Sequence, residues 1–533
     1  MKQPLLSVQN LSLSTAQQPL LHRVSFEIAK GEIFALVGES GSGKSLTSLA
    51  ILRLLPEAIH LDGGRVSFKG ESLFGLSERA MQSLRGRQIA MIFQEPMSAL
   101  NPVMRIGEQV AEVLRLHLNL SSTQLKARVI ALLEEVALDS PHERYRWYPH
   151  QLSGGQKQRL LIAIALACEP TLLIADEPTT ALDVTIQAQI LTLLQTIQSR
   201  RKLSILFITH DLGVVAQIAD RVAVMREGRV VEITSKEAFF SQPQHPYTQQ
   251  LLSDATPPAP LPQTTQTPPP LLELTDLRVS FAIKKGLLQR TVGYLHAVDG
   301  VSLSIPKGKT LALVGESGSG KSTLGRAILS LVPLSAGRLC FAGEDITHLT
   351  PTQRHPYRRK IQVIFQDPFS ALNPRMTIGE SILEGMVSLG VAPTKPHAQQ
   401  AQIASLLRLV ELDPSHAHRY PHEFSGGQRQ RIGIARALAL DPELIICDEP
   451  TSALDVTVRT QILTLLKRLQ ADRGLSYLFI THDLSIIDSI AHDVAVMQHG
   501  KIVEHGSVTT LMHHPKHPYT QSLLASVPKR FRG

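Results

Sequence analysis

The sequence predicts an α/β fold built twice in tandem, and three observations predict it. An apolar, strand-like run feeds a glycine loop at Ile33-Phe-Ala-Leu-Val37 and again at Thr310-Leu-Ala-Leu-Val314. A run of helical period follows late in each half, with Ile186, Ile190, Leu194 and Ile197 matched by Val458, Ile462, Leu466 and Leu469. Spacing of i, i+4, i+8 lays one apolar stripe against a core. Between the halves, residues 256–270 hold seven prolines in fifteen positions. Proline removes backbone donors and fixes φ, so this stretch reads as an extended linker without a core. The predicted organisation is therefore a first domain at 1–255, a linker at 256–270 and a second domain at 271–533.

Each half opens with a strand, at residues 6–11 and 272–277, before the apolar strand that enters the glycine loop. The short apolar runs at residues 205–209 and 477–481 are further strands. Short strands alternating with helices argue for a mostly parallel sheet. The glycine loop recurs at an offset of 277 residues, whereas later motifs recur at 272. The difference lies chiefly where the stretch from Pro56 to Gly64 shortens to that from Pro333 to Gly337, a loop deletion of the kind surface turns tolerate.

Composition sets the limits. A chain of 533 residues exceeds one compact core. Hydrophobic content of 43% and charged content of 19% are ordinary for a folded, soluble protein. The longest apolar run, Leu160 to Cys168, has nine residues, against the roughly 18–20 that span a bilayer. The first residues lack the apolar core of a secretory signal. Cys168, Cys340 and Cys447 form no CxxC pair, which fits a reducing compartment and argues against zinc or an iron–sulfur cluster. Net charge is +8, but basic residues are scattered among acids, and charge alone does not separate a nucleic-acid partner from an anionic membrane face.

The motifs carry the chemistry. Gly38-Glu-Ser40-Gly41-Ser-Gly43-Lys44-Ser45 and Gly315-Glu-Ser317-Gly318-Ser-Gly320-Lys321-Ser322 fit a phosphate loop between a strand and a helix. Its amides would wrap the β-phosphate, Lys44 and Lys321 would reach the β- and γ-phosphates, and Ser45 and Ser322 would ligate Mg²⁺. Asp176 and Asp448 end apolar strands where a carboxylate would hold that metal. Glu177 and Glu449, next in sequence, are placed as general bases for an attacking water. His210 and His482 follow at matching distances and suit a γ-phosphate or a water. Gln94 and Gln366 would touch the metal. Asp183 and Asp455 recur at the same offset of 272, and Ser153-Gly154-Gly155-Gln156 and Ser425-Gly426-Gly427-Gln428 place a hydroxyl and helix N-terminal amides ready for an anion.

With both sets in the same order, the chain resembles the ATP-binding cassette ATPases over nearly its whole length. The resemblance implies two tandem P-loop domains, each a RecA-like core with a helical subdomain and an N-terminal β-rich part, that hydrolyse ATP with Mg²⁺. It also implies that each signature serine and its glycines serve the nucleotide of the opposite half: Lys44 to His210 with Ser425-Gly-Gly, Lys321 to His482 with Ser153-Gly-Gly. Family members stack adenine on an aromatic near the first strand. Phe281 fills that position in the second half, but Thr15 holds it in the first, which predicts weaker binding there.

The tails His245-Pro-Tyr-Thr248 and His517-Pro-Tyr-Thr520 resemble those of peptide-importer ATPases, and the two-cassette fusion is similar to the ATP-binding subunits of microcin C, oligopeptide and glutathione importers. That implies peptide-like cargo, two integral-membrane permeases, an extracytoplasmic binding protein reached through them, no nucleic acid, and a place on the cytoplasmic face of the bacterial inner membrane. Permeases would contact the groove beside Gln94 and Gln366. The tails themselves read as docking turns without chemistry. The rival reading is a soluble tandem ATPase acting on ribosomes or DNA; the short uncharged linker and the lack of zinc-binding cysteines speak against it.

Overall fold

The computed structural model describes residues 3–94, 99–179, 182–255, 268–285, 290–452 and 454–526. Most of the proline-rich stretch, residues 256–267, therefore lies outside the described residues. The chain divides into two compact units, with the boundary after Ala255. Strand structure resumes at Pro270, earlier than the linker reading placed it. A proline is tolerated there because the first residue of a strand can forgo its amide donor.

In the first unit the strands are β1 (Leu6–Ser14), β2 (Pro19–Ile28), β3 (Ile33–Val37), β4 (His60–Phe68), β5 (Glu71–Ser72), β6 (Ile89–Ile92), β7 (Leu172–Asp176), β8 (Ser204–Thr209), β9 (Arg221–Arg226) and β10 (Arg229–Ser235). They form two sheets: an antiparallel one in the order β2-β1-β4-β5, and a six-stranded one in the order β10-β9-β3-β8-β7-β6. Within the second, β9, β3, β8, β7 and β6 are parallel and only β10 runs against its neighbour.

The second unit repeats this with β11 (Pro270–Lys285), β12 (Arg290–Pro306), β13 (Thr310–Val314), β14 (Ala336–Phe341), β15 (Glu344–Asp345), β16 (Ile361–Ile364), β17 (Leu444–Asp448), β18 (Ser476–Thr481), β19 (Asp493–Gln498) and β20 (Lys501–Ser507). The sheet orders are β12-β11-β14-β15 and β16-β17-β18-β13-β19-β20. Both units are thus an antiparallel β part joined to a mostly parallel core sheet.

The central strands read as continuous apolar runs because both faces are covered. All five residues of β3 and of β13 are buried. The helix Val184–Arg201 buries Ile190, Leu191, Leu194 and Ile197, and the helix Val456–Arg473 buries Ile462, Leu463, Leu465, Leu466 and Leu469. Ile186, the first residue of the predicted stripe, is half-buried instead and packs against Gly155. A helical layer lies beside the sheet. In the first unit, Val110 and Leu114 of Ile106–His117 cluster with Val129 and Leu133 of Ser122–Glu135 and with Leu160 of Gly154–Leu166.

Parallel order positions the site. In the first unit the carboxyl ends of β3, β8, β7 and β6 lie side by side, with Val37 opposite Thr209, Asp176 opposite Ile208, and Ile92 opposite Ala175. Four loops leave from that edge, and ligands of open α/β sheets bind there.

Candidate functional site

The glycine loop begins where β3 ends. Gly38 has φ of +155°, and a Cβ at that position would stand 2.1 Å from the Met225 carbonyl oxygen. Gly315 repeats this at +152° and 2.2 Å from the Met497 carbonyl. Both the angle and the space demand glycine. Gly43 and Gly320 are left-handed residues just before the helices Lys44–Ile51 and Lys321–Ile328, so each loop runs directly into a helix N-terminus. Ser40 and Gly41, like Ser317 and Gly318, lie on the outward turn of the loop, and all four are exposed.

The two lysines are buried but turned onto their own loops. Lys44 Nζ donates to the carbonyls of Gly38 (2.8 Å) and Glu39 (2.7 Å), and Lys321 Nζ donates to those of Gly315 (2.7 Å) and Glu316 (2.8 Å). A buried ammonium needs such oxygens. Phosphate oxygens would offer it the same contacts with a full negative charge.

The next serine meets the first acid. Ser45 Oγ donates to Asp176 Oδ1 at 3.1 Å, and Ser322 Oγ donates to Asp448 Oδ1 at 2.8 Å. Burial pushes the Asp176 carboxyl up to about 6, and the Ser45 bond and Lys44 only partly offset it. Burial likewise raises Asp448. A hydroxyl and a desolvated carboxylate side by side are hard oxygen donors, and this donor set fits Mg²⁺.

The second acid is gripped at both oxygens. Glu177 Oε1 lies 2.9 Å from His210 Nδ1, and its Oε2 accepts from Gln94 Nε2 at 2.9 Å. In the second unit, Glu449 Oε1 lies 3.1 Å from His482 Nδ1, and its Oε2 accepts from Gln366 Nε2 at 2.9 Å. Both glutamates adopt left-handed backbone, with φ of 46° and 47°, a conformation that costs a non-glycine residue on the order of 1–3 kcal/mol. The turn brings each carboxylate to residues just past the ends of the two neighbouring strands. Burial works against the Glu449 carboxylate, but His482, Lys321 and Gln366 outweigh it and hold the carboxyl below its usual range. The same pairing raises His482 despite its burial.

The remaining predicted residues take local roles. Asp183 and Asp455 cap the periodic helices by accepting from Ile186 and Val458 amides, each at 2.9 Å. Ser153 and Ser425 cap the helices Gly154–Leu166 and Gly426–Leu438 in reciprocal boxes with Gln156 and Gln428. A Cβ on Gly155 would meet Ile186 at 2.6 Å, and one on Gly427 would meet Val458 at 2.4 Å. Within each unit these signature residues sit on a different element from the lysine, the glutamate and the histidine. Phe281 lies on β11 opposite Leu295 and is 41% exposed. Thr15 is occupied differently: its Oγ1 accepts from the amides of Gln17 and Gln18 and closes the turn between β1 and β2.

Sequence reasoning passed over two contributions. Asp211 and Asp483, one residue past each histidine, cap the following turns and bind Gln187 and Arg459 on the periodic helices. Tyr519, in the second tail, accepts a hydrogen bond from the Glu316 amide of the glycine loop at 3.0 Å. Nothing local in the sequence marks that contact, because it spans 203 residues.

The chain is similar to known proteins over nearly its whole length. Residues 21–180 and 298–452 match the family model described as ABC transporter. Residues 231–275 and 503–531 match the one described as oligopeptide/dipeptide transporter, C-terminal region. The chain is 47% identical over 529 residues to the peptidoglycan transport ATP-binding protein YejF of Agrobacterium fabrum, covering 98% of this chain and 96% of that one. It is 48% identical over 559 residues to the glutathione import ATP-binding protein GsiA of Escherichia coli O6:H1, covering 98% and 89%.

Proposed function

The chain belongs to the ABC transporter family of ATP-binding, ATP-hydrolysing proteins, and from that premise we propose that it is the energy-coupling subunit of an importer for peptides or peptide-like compounds. The observation that carries the ATPase reading is the twofold lysine–serine–aspartate–glutamate–histidine–glutamine group at the carboxyl edge of each core sheet. The cargo class is supported by the two tails matching the oligopeptide/dipeptide transporter region and by relatives named for peptidoglycan and glutathione transport.

In this reading residues 1–255 and 271–533 each form one cassette. Lys44 and Lys321 turn from loop carbonyls to β- and γ-phosphate oxygens, which their helix N-termini also attract. Ser45 with Asp176, and Ser322 with Asp448, would hold Mg²⁺, helped by the side-chain carbonyl oxygens of Gln94 and Gln366. When bound, the ion neutralises phosphate charge. Glu177 and Glu449 orient and deprotonate the attacking water, while His210 and His482 hold those carboxylates and the γ-phosphate. Ser153-Gly-Gly-Gln156 and Ser425-Gly-Gly-Gln428 complete the nucleotide site of the opposite cassette, with Asp183 and Asp455 beside them. Closure on ATP and opening after hydrolysis then drive the permeases.

No helix among the described residues is long and apolar enough to cross a membrane. The transport pathway therefore belongs to partner chains: two permeases and, through them, an extracytoplasmic binding protein, with this subunit on the inner face of the bacterial inner membrane. Copurification of the full chain in mild detergent tests this. Two multi-span permeases are expected; recovery of ribosomes in their place overturns the importer reading.

Adenine grip separates the two sites. Phe281 offers an exposed aromatic face on β11, whereas Thr15 spends its hydroxyl closing a turn. Replacing Phe281 with alanine is expected to weaken nucleotide binding at the second site by about 1–1.4 kcal/mol, a Kd change of roughly five- to tenfold. Titration with a fluorescent ATP analogue in a Lys44→Ala background reads that site. A Kd unchanged by Phe281→Ala removes the stacking role.

A further inference from the structure

The His-Pro-Tyr-Thr tails are each built by the same local devices. In the second unit, the Glu504 carboxylate accepts from the amides of Lys516 (2.8 Å) and His517 (3.1 Å), which fixes the chain leaving β20. His517 is the N-cap of the helix Pro518–Ala525; its Nδ1 accepts from the Tyr519 amide at 3.2 Å. Pro518 takes the first helical position, where no amide donor is needed. Thr520 and Leu523 are buried beneath the helix. The first unit repeats each step, with Glu232, His245, Pro246 and the helix Pro246–Asp254. Histidine and proline thus start a helix, and threonine with leucine anchors it. The tyrosine ring packs on the core as well, Tyr247 within its cluster and Tyr519 against its own, but its hydroxyl is needed for neither task.

What Tyr519 does is reach the phosphate loop. Its phenolic oxygen accepts from the Glu316 amide at 3.0 Å, while the Glu316 carbonyl accepts from Lys321 Nζ at 2.8 Å. The residue between the strand and the phosphate-binding amides therefore has both backbone groups held, one by the tail and one by the lysine. The ring packs against the cluster that contains Val314, the last residue of β13. In the first unit the equivalent ring, Tyr247, lies 4.8 Å from the Arg226 guanidinium, a position occupied by Gln498 in the second.

We propose that Tyr519 is a positioning residue for the nucleotide site of the second cassette: by holding the Glu316 amide it sets the phosphate loop in its receiving shape and ties the C-terminal tail to that loop. The idea rests on the assignment of the Lys321 loop to ATP. Because the hydroxyl acts before chemistry, through loop shape, its loss raises the ATP requirement and leaves turnover at saturation in place.

The test uses the full-length chain. In a Lys44→Ala background, a fluorescent ATP analogue reports the second site alone. Tyr519→Phe is expected to raise its Kd about fivefold, the scale of one neutral hydrogen bond. In the otherwise unaltered chain, KM for ATP rises while kcat holds, and exchange of the Glu316 amide with deuterium accelerates. A Kd within about twofold of the parent overturns the proposal, as does a fall in kcat at constant KM. Lys44→Ala combined with Lys321→Ala should abolish binding; if it does not, the site assignment fails rather than the tyrosine's role. Should Tyr519→Phe not fold, the parent decides. Glu316 exchange must then follow opening of the Pro518–Ala525 helix, and rapid exchange of Glu316 while that helix stays protected overturns the coupling.

Discussion

Replacing Glu177 and Glu449 together with glutamine is expected to lower ATP turnover by about 10²–10⁴-fold while ATP still binds, because a general base contributes on that scale. The local geometry explains why binding survives. Each carboxylate has one oxygen against a histidine Nδ1 and the other against a glutamine amide. A glutamine of the same shape can keep its carbonyl on Gln94 or Gln366 and turn its amide toward a neutral imidazole. What disappears is the negative charge that accepts a proton from water. Lys44, Lys321 and the loop amides lie on other elements and keep their contacts. Phosphate release measured beside equilibrium nucleotide binding separates the two effects. A double variant keeping more than about a tenth of parental turnover would falsify the assignment, since that loss is too small for a missing general base.

Those glutamates also show how much of the molecule was legible in the sequence. Strands β3 and β13 were readable to the residue, since a buried parallel strand is a bare apolar run and the glycine loop marks its end. Convergence of Lys44, Asp176, Glu177 and His210 followed from parallel topology: each stands at or just past a strand's carboxyl end. The backbone turn at Glu177 and Glu449 was not readable, because left-handed φ at a glutamate is imposed by the surrounding fold and carries no residue signal. The role of Thr15 was half readable. Its inability to stack came from its identity, but its use in closing the β1–β2 turn needed the actual hairpin length. Contacts between distant segments, such as Tyr519 with Glu316, leave no periodicity or spacing behind. They arise only when the tail packs back onto the core.

The imperfect repeat supplies a second large expected effect, on stability. In the first unit the amide of Ile33, where β3 begins, donates to Asp220 Oδ2 at 2.8 Å. In the second unit the corresponding amide, Thr310 at the start of β13, donates to His492 Nδ1 at 3.1 Å. A carboxylate has been exchanged for an imidazole at the same structural position. An imidazole accepts only while neutral, and burial, with some help from Lys309, lowers His492 from 6.5 to about 4. The sign follows from that direction. A group whose folded value is depressed below its unfolded one favours the unfolded state once protons are available there. The second unit therefore has its full stability above pH 6.5 and loses it as pH falls from 6.5 through 4. At pH 5 the loss from this group is on the order of 1 kcal/mol, since the undiscounted figure of about 2 from 1.36 kcal/mol per pKa unit is reduced by solvent screening of a half-buried ring. Urea unfolding of the full chain at pH 7 and pH 5 measures it. His492→Asn keeps an acceptor for the Thr310 amide but does not titrate, so its decline between those pH values should be smaller than the parent's by that amount. Equal declines in the two proteins would exclude His492 as the source. A corresponding replacement of Asp220 by asparagine should not reproduce the effect, because the first unit has no imidazole in that bond. Two cassettes alike in chemistry would then differ in acid tolerance through one side chain, bonded at the end of β13 opposite its own glycine loop.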